Sequence, residues 1–567
     1  MVEPTQTNLT YTAPVADAPA PATPVDAPVS DQQIQDTAEA ILDTGEQWFT
    51  DDYDSRMVRY AEEMAKLSPE DGARLNEALL AKDEGALASW LKLDTLDRMQ
   101  NDGRISQDQY AAVSEGFTTA YNAGKISDQQ AETFLGTQIL NGVAPGIAPD
   151  QWNQLREFLG ASNSSEATQT FRENFAEHLL AKPLDADNIH SAHDAGIAMQ
   201  IASDSGDPDM AARVFASVAE HAGDGISDPA KAAAAREEAR GKLLEAIGQS
   251  SIGFENSAGA FDGLVNPMAT LIDSVARQPD TAQWNETAVD IARYAESSDN
   301  DVFYDPYTDK PIASTAAALT NLLAGNQGDA VLTALSNWDG SGVTGRDGHA
   351  QQFGQNAIEL GNLLRITAFN PDNPDAQQAL TAVQEWAQLR KDYLNGVERS
   401  DYPADLSVST ARQQLGMLGG AAFDAVQQMK IDQDNRAAAT EALVGFVVDL
   451  GLSVVPGGGK ISELVAGDLK SAFGNNPRID GLIDEALSVG DTLTSSAIDS
   501  LKSEIAGALS DDQVDLEALR TTASNFVTSA VVSGLSEGTP ADGGQSHRDI
   551  VESHVQTVQD DIQDNRK

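Results

Sequence analysis

Two stretches of this chain carry the same pattern of residues, 21 positions apart. They read Asn-Asp-Gly-Arg-Ile-Ser-Gln-Asp-Gln from Asn101 and Asn-Ala-Gly-Lys-Ile-Ser-Asp-Gln-Gln from Asn122. In each, a glycine turn precedes an inward apolar isoleucine, and a Ser-x-x-Gln capping box starts a helix. We therefore expect short antiparallel helices joined by tight turns.

Helix-start signals recur along the chain, whereas strand signals are nearly absent. Ser30 and Gln33 form a capping box before an apolar stripe at helical spacing: Ile34, Ala38, Ile41, Leu42, Trp48 and Phe49. Residues 223–229 repeat the glycine turn with a proline in the first helical turn, and residues 510–513 open a late helix. The sequence predicts an all-α fold, an irregular array of helical hairpins followed by a C-terminal helical bundle.

Composition shifts divide this array into five parts. Residues 1–29 are rich in Ala, Pro, Thr and Asp, which favours a disordered leader. N-terminal helical hairpins over 30–180, a central helical region over 181–400 and a C-terminal bundle over 401–535 follow. Residues 536–567 form a glycine-rich polar linker and an amphipathic helix with the apolar stripe Val551, Val555, Val558 and Ile562. This stripe suits either docking on a partner or folding back on the body.

The net charge and the lack of cysteine say more about the environment of the protein than about its chemical activity. The 567 residues include no cysteine and carry a formal net charge of -52, which excludes thiol catalysis and Cys-ligated zinc and argues against nucleic-acid binding. An acidic surface suits a salty or extracellular setting and attracts basic protein partners. The N-terminus lacks a Sec-type signal peptide. We expect secretion by another route, with a cytoplasmic location as the alternative.

An acidic loop over residues 296–309 is the first candidate for chemistry, because its carboxylates cluster without helical spacing. Catalytic carboxylates would be drawn from Glu296, Asp299 and Asp305, as in a glycan hydrolase. A divalent cation would be held by Asp299, Asp301, Asp305 and Asp309, and no other cofactor is expected. A solvated acidic loop is the third interpretation. Its aromatic residues Phe303, Tyr304 and Tyr307 either stack on a sugar ring or anchor the loop.

Two further stretches bring polar side chains together. A glycine-dense stretch over 337–349 offers a polar-aromatic pocket or a structural connection, with Trp338, Asp339, Arg346 and His349. His190 and His193 share a helical face and suit a zinc ion, although a helix start capped by Asp187 or Ser191 explains the same residues.

A long apolar run over 442–455 is shorter than the roughly 20 residues that a spanning helix needs. It is either a buried helix of the bundle or a masked arm that inserts into a membrane. The membrane-active candidates are Leu443, Phe446, Val447, Leu450 and Val454. The run ends in Val455-Pro456-Gly-Gly-Gly-Lys460 and, over about 30 residues, resembles the Pro-Gly apolar segments of bacterial secreted effectors and polymorphic toxins. The resemblance implies a secreted bacterial protein whose helical body delivers or masks a C-terminal active part.

Three functions follow from these features. The leading hypothesis is a bacterial secreted effector, a toxin-like virulence protein that acts on a host or competitor cell. The alternatives are a non-catalytic helical interaction scaffold and a glycan hydrolase that uses the acidic loop. No catalytic signature stands out, so the sequence leans away from an enzyme without excluding one. A protein partner is expected, a membrane is possible, and the oligomeric state is undetermined.

Overall fold

The structure, a computed structural model, is all-α over the residues that it describes. These are 29–45, 50–83, 85–137, 149–161, 166–185, 190–255, 265–296, 302–305, 310–337, 346–370, 372–429 and 546–565, with isolated positions between 477 and 535. Within them, β pairing is limited to one isolated antiparallel bridge, between Tyr304 and Pro311. Residues 1–28 of the predicted leader, Trp48, Phe49 and residues 510–513 lie outside the described residues.

The chain divides into two compact units, Met1–Phe134 and Leu135–Lys567. The finer boundaries expected near residues 180, 400 and 535 stay predictions. The helices of the first unit are α1 (Asp31–Leu42), α2 (Thr50–Met64), α3 (Pro69–Lys82), α4 (Ala86–Ser89), α5 (Leu93–Asn101), α6 (Gln107–Asn122) and α7 (Asp128–Leu135).

The capping boxes form as the sequence predicts. At α1, the Ser30 N–H donates to Gln33 Oε1 at 3.0 Å and the Gln33 N–H donates to Ser30 Oγ at 3.3 Å. The same two bonds, at 2.8 and 3.3 Å, start α6 from Ser106 and α7 from Ser127. Along α1, Ile34, Ala38 and Ile41 are buried, as the apolar stripe requires.

The two repeats also share their turn. Gly103 and Gly124 both adopt a φ of 69°, the left-handed region that glycine enters without a steric cost. The isoleucines that follow, Ile105 and Ile126, are both buried. The repeated sequence therefore encodes one turn twice, and each turn anchors itself to the core by an isoleucine.

The third version of the turn, residues 223–229, departs from this pattern. Gly225 again has a positive φ, of 77°, but Ile226 is 38% exposed. The helix that follows begins at Pro229, and the Asp228 carboxylate caps it by accepting from the Ala230 N–H at 3.0 Å. The proline is placed as expected, but Ile226 follows its glycine directly, whereas one residue separates the glycine from the buried isoleucine in the two repeats.

The second unit contains thirteen α-helices within the described residues. They are α8 (Pro149–Ala161), α9 (Glu166–Ala181), α10 (Ser191–Ser203), α11 (Met210–His221), α12 (Pro229–Glu255), α13 (Pro267–Ala276), α14 (Ala282–Glu296), α15 (Ala313–Ala324), α16 (Gly328–Ser336), α17 (Arg346–Ile366), α18 (Ala376–Leu394), α19 (Val408–Gln428) and α20 (His547–Asn565). A single 3₁₀ turn, Lys182–Leu184, follows α9.

The helix α19 lies at the centre of its neighbours, since α17, α18 and α20 all pack against it. Two thirds of its residues, 14 of 21, are buried, and α20 also packs on α17. The stripe predicted on the last helix is buried in full: Val551, Val555, Val558 and Ile562. Of the two alternatives left open by the sequence, α20 therefore folds back on the body of the unit.

Candidate functional site

The acidic loop is anchored by its aromatic side chains. The Ile312 N–H donates to the Phe303 carbonyl at 2.9 Å, and the buried Phe303 ring meets Tyr294 edge-on at 6.3 Å. The Arg365 guanidinium lies 4.1 Å from the centre of the Tyr304 ring, and its Nε donates to the Tyr304 hydroxyl at 2.9 Å. Phe303 and Tyr304 thus fix the loop to α14 and α17, which leaves Phe303 without a face for a sugar ring.

The loop carboxylates are described only in part. Asp305 is half-buried, and its backbone N–H donates to the Lys310 carbonyl at 2.9 Å. Glu296 is the last residue of α14, but its side chain, like the whole of Asp299, Asp301, Tyr307 and Asp309, lies outside the described residues. The described part of the chain brings no three His, Cys, Asp or Glu side chains close enough to hold a metal ion. The catalytic and cation-binding roles of this loop stay predictions.

The histidine pair begins α10. His190 is the N-cap residue and makes no side-chain cap, and Ser191 is the first helical residue, so the predicted cap by Ser191 is wrong. Asp187, the other predicted cap, lies outside the described residues. His193 Nε2 lies 3.3 Å from the Thr137 carbonyl oxygen. Burial lowers the pKa of His193, which favours the neutral ring. This ring contacts the Thr137 backbone.

Two other predicted sites lie mostly or wholly outside the described residues. In the glycine-dense stretch only Asn337 and the helical backbone from Arg346 onward are described, and the stretch connects α16 to α17. Residues 442–456 are not among the described residues, so the membrane-active candidates stay predictions. Among the helices that the structure describes, none is long and apolar enough to cross a membrane.

A cleft that the sequence did not indicate lies between α15, α16 and α18. It has a volume of about 740 Å³ and mixes apolar with charged walls. Three leucines lie along it, of which Leu389 is half-buried, whereas Leu323 and Leu332 are each only 1% exposed. The charged side chains on its walls are Asp329, Glu385, Asp401 and Arg399. Clefts of this size, with apolar walls and a few placed polar groups, are typical binding sites.

A fully buried arginine, Arg390, lies behind the cleft wall and bonds to residues of that wall. Its Nη1 pairs with Asp329 at 3.1 Å and its Nη2 donates to Thr333 Oγ1 at 2.8 Å. Its Nε donates to Gln414 Oε1 at 2.9 Å, and its guanidinium lies 3.9 Å from the Trp386 ring centre. Burial lowers the pKa of Arg390, and the Asp329 carboxylate opposes that effect. Through this network, the Arg390 side chain holds two residues of the cleft wall, Asp329 and Trp386, in place.

The rim of the cleft is held by a second arginine. Arg399 pairs with Asp392 at 2.8 Å and with Asp401 at 2.6 Å. Hydrogen bonding to these two carboxylates raises the pKa of Arg399, and the same guanidinium lowers the pKa of Asp401. Both guanidinium groups at the cleft are therefore engaged by carboxylates. Three residues that line the cleft carry carboxylates, Asp329, Glu385 and Asp401, against one guanidinium, that of Arg399. The Glu385 side chain is exposed.

Two amide side chains on the same wall have unsatisfied atoms. Gln384 and Gln388 are one helical turn apart on α18. Within the described residues, Gln384 Nε2 and Gln388 Oε1 have no hydrogen-bond partner. Both atoms are enclosed by the surrounding protein, so they cost stability and offer no contact to a ligand in the cleft.

Sequence reasoning missed this site because most of it is long-range. Trp386 and Arg390 are four residues apart on α18, and that spacing is the local signal for a stacked pair. The partners Asp329 and Gln414 lie 61 and 24 residues away along the chain. Comparison of the chain with protein-family models, curated proteins and solved structures gives no match.

Proposed function

We propose that this chain is a helical interaction protein that binds a basic, partly apolar segment of a protein partner in the cleft between α15, α16 and α18. The cleft itself carries the proposal. Leu389 offers apolar contact, and the excess of carboxylates over guanidinium groups on the cleft walls favours a cationic side chain.

The charge of the whole chain supports the same partner. A formal net charge of -52 attracts basic proteins over long distances and accelerates their encounter at low ionic strength. Long-range attraction alone does not select a site. A test must therefore separate local recognition in the cleft from general attraction to an acidic surface.

A charge reversal at matched positions makes that separation. Glu385 is exposed on the cleft wall. Glu237 is exposed on α12 and is not one of the residues that line the cleft. Glu385→Lys and Glu237→Lys change the net charge equally. The probes are a short synthetic peptide of Lys, Leu and Ala and its counterpart with Glu in place of Lys, each measured by fluorescence anisotropy at two salt concentrations.

We expect the lysine peptide to bind and the glutamate peptide not to bind. Glu385→Lys should weaken binding about ten-fold, the equivalent of about 1.4 kcal/mol, and Glu237→Lys should weaken it less than about three-fold. Equal effects of the two variants would show that binding follows net charge and would contradict the proposed site. Absence of binding at both salt concentrations would contradict the proposed partner.

Secretion and action on a host or competitor cell, the leading hypothesis from the sequence, stay predictions, as does glycan hydrolysis by the acidic loop. Expression in the bacterial cytoplasm or directed to the periplasm, with growth and membrane potential recorded, tests the first. Toxicity with depolarisation would favour a membrane-active segment at 442–456. Harmlessness in both compartments would favour the interaction protein.

A further inference from the structure

The contact between α19 and α20 leaves no spare room. Gly419 and Gly420 on α19 face Val555 and Val558 on α20, and a Cβ placed on either glycine would lie less than 3.0 Å from a valine methyl carbon. One turn earlier, a Cβ on Gly416 would lie equally close to His554 Cβ. We call this contact the glycine seam. It brings the two helices to a separation that only glycine allows.

Two histidines of α20 meet one arginine of α19 at the N-terminal end of the glycine seam. His547 Nδ1 accepts a hydrogen bond from Arg412 Nε at 3.0 Å, and both groups are buried. An acceptor nitrogen carries no proton, so the His547 ring is neutral in this geometry. His554 is hydrogen-bonded to the Arg412 backbone, and its Nδ1 has no partner within the described residues.

Among the described residues, Arg412 is a charged residue that contacts both histidines. The titratable and charged side chains on the elements packed against α20 are, among the described residues, Arg412 and Asp424 on α19, Glu359 and Arg365 on α17 and the more distant Arg520. On α20 itself the neighbours are Arg548, Asp549 and Glu552. Asp424 lies eight residues beyond Gly416, or about 12 Å along the helix axis, and Arg365 is engaged by Tyr304.

We propose that α20 is an acid-released helix, which detaches from α19 when His547 and His554 are protonated beside Arg412. Protonation of His547 Nδ1 removes the hydrogen bond from Arg412 Nε and sets two cations in contact. Protonation of His554 adds a third positive charge in a buried contact. The glycine seam has no room to separate these charges while the helices stay packed, so relief requires α20 to leave.

The direction of the pH effect follows from His554. Burial lowers the pKa of His554 and the charge of Arg412 lowers it further, although the backbone hydrogen bond acts in the opposite direction. A histidine whose pKa is lower in the docked state binds more protons when α20 is detached. Docking is therefore fully stable above the ordinary histidine pKa of about 6.5 and is lost as the pH falls below it.

Hydrogen exchange measures the opening equilibrium of α20 even when the detached state is rare. The full chain is followed by mass spectrometry from about pH 7.5 to about pH 5.5, with rates corrected for intrinsic exchange and referenced to α13. We expect the protection of α20 to fall by up to about ten-fold per pH unit for each titrating histidine below pH 6.5. Protection of α20 that stays constant relative to α13 would overturn the proposal.

Neutral variants identify the titrating groups. His547→Asn keeps an acceptor near the position of Nδ1, and His554→Gln keeps a donor near the position of Nε2. The double variant should lose the acid response, and each single variant should lose part of it. His221→Gln, at an exposed position on α11, is the matched control and should respond as the unaltered chain does. An unchanged acid response in both single variants would assign it to other groups and overturn the proposal.

Discussion

Each compact unit brings two helices together over glycine, but the side chains that face the glycines differ. In the first unit, Gly72 of α3 and Gly116 of α6 lie opposite each other, and the terminal methyl of Met64 covers them. In the second unit, the glycine seam of α19 is covered by branched valines of α20. In the first contact, the atom that meets the glycines is at the flexible end of a methionine side chain. In the second, Gly419 and Gly420 meet valine methyl carbons, which lie close to the α20 backbone.

This difference decides how each contact responds to added volume. Methionine has three rotatable bonds and adapts to irregular gaps. Valine in a helix has one strongly preferred χ1 rotamer, so its methyl groups cannot swing away without moving the helix. The glycine seam is therefore specific for residue size, whereas the Met64 contact tolerates a larger neighbour. Three experiments test that conclusion.

The largest effect is expected for Gly420→Ala. The new methyl would overlap Val558 Cγ1, which lies beside the α20 backbone, so α20 must shift outward. Overpacking of this kind costs about 1–3 kcal/mol, and we expect the upper end here, because two rigid groups meet. Protection of α20 from hydrogen exchange should fall about 30- to 150-fold.

The matched control for this substitution is Gly241→Ala. Gly241 lies inside α12, and a Cβ at this position meets nothing within 4 Å. Alanine should stabilise α12 there by up to about 1 kcal/mol through helix propensity. Unchanged protection of α20 in Gly420→Ala would show that α20 accommodates the methyl and would remove the claim of size specificity.

A smaller effect is the expected coupling energy between the substitutions Gly419→Ala and Val555→Ala. Val555 Cγ2 is the atom nearest to a Cβ on Gly419, and Val555→Ala removes it. Each single substitution should destabilise docking of α20, but the double variant should recover about 1–2 kcal/mol relative to their sum. The four-member cycle is measured by hydrogen exchange of α20. Additive losses would mean that the glycine and the valine act independently, contrary to the geometry.

The glycine seam also shows where sequence reasoning succeeds and where it stops. The stripe Val551, Val555 and Val558 follows helical spacing, so its burial was predictable from residues 551–558 and their period. The glycine-rich face that this stripe contacts was not predictable. Gly416, Gly419 and Gly420 lie more than a hundred residues earlier, and no local pattern pairs a glycine-rich face with a distant valine stripe.

Local signals succeeded elsewhere for the same reason. The capping boxes of Ser106 and Ser127 depend on residues three positions apart, and both form with the same bonds. The burial of Ile105 was also predicted. Ile226 is exposed, and in that turn the isoleucine directly follows Gly225, whereas Arg104 separates Gly103 from Ile105. The Arg390 network of the cleft was missed because the partners of Arg390 lie 24 and 61 residues away along the chain.

The smallest effect is expected for Gly116→Ala in the first unit. The new methyl would meet Met64 Cε, while the Gly72 Cα lies at an ordinary contact distance of 3.6 Å. Rotation of the Met64 side chain relieves the overlap at a cost offset by the gain of about 1 kcal/mol from alanine in a helix interior. Exchange protection of α3 and α6 should therefore change by less than about three-fold, since 0.6 kcal/mol corresponds to roughly that factor. A fall as large as that expected for Gly420→Ala would show that Met64 is held as rigidly as the valines, and the contrast between flexible and branched side chains would no longer explain the two contacts.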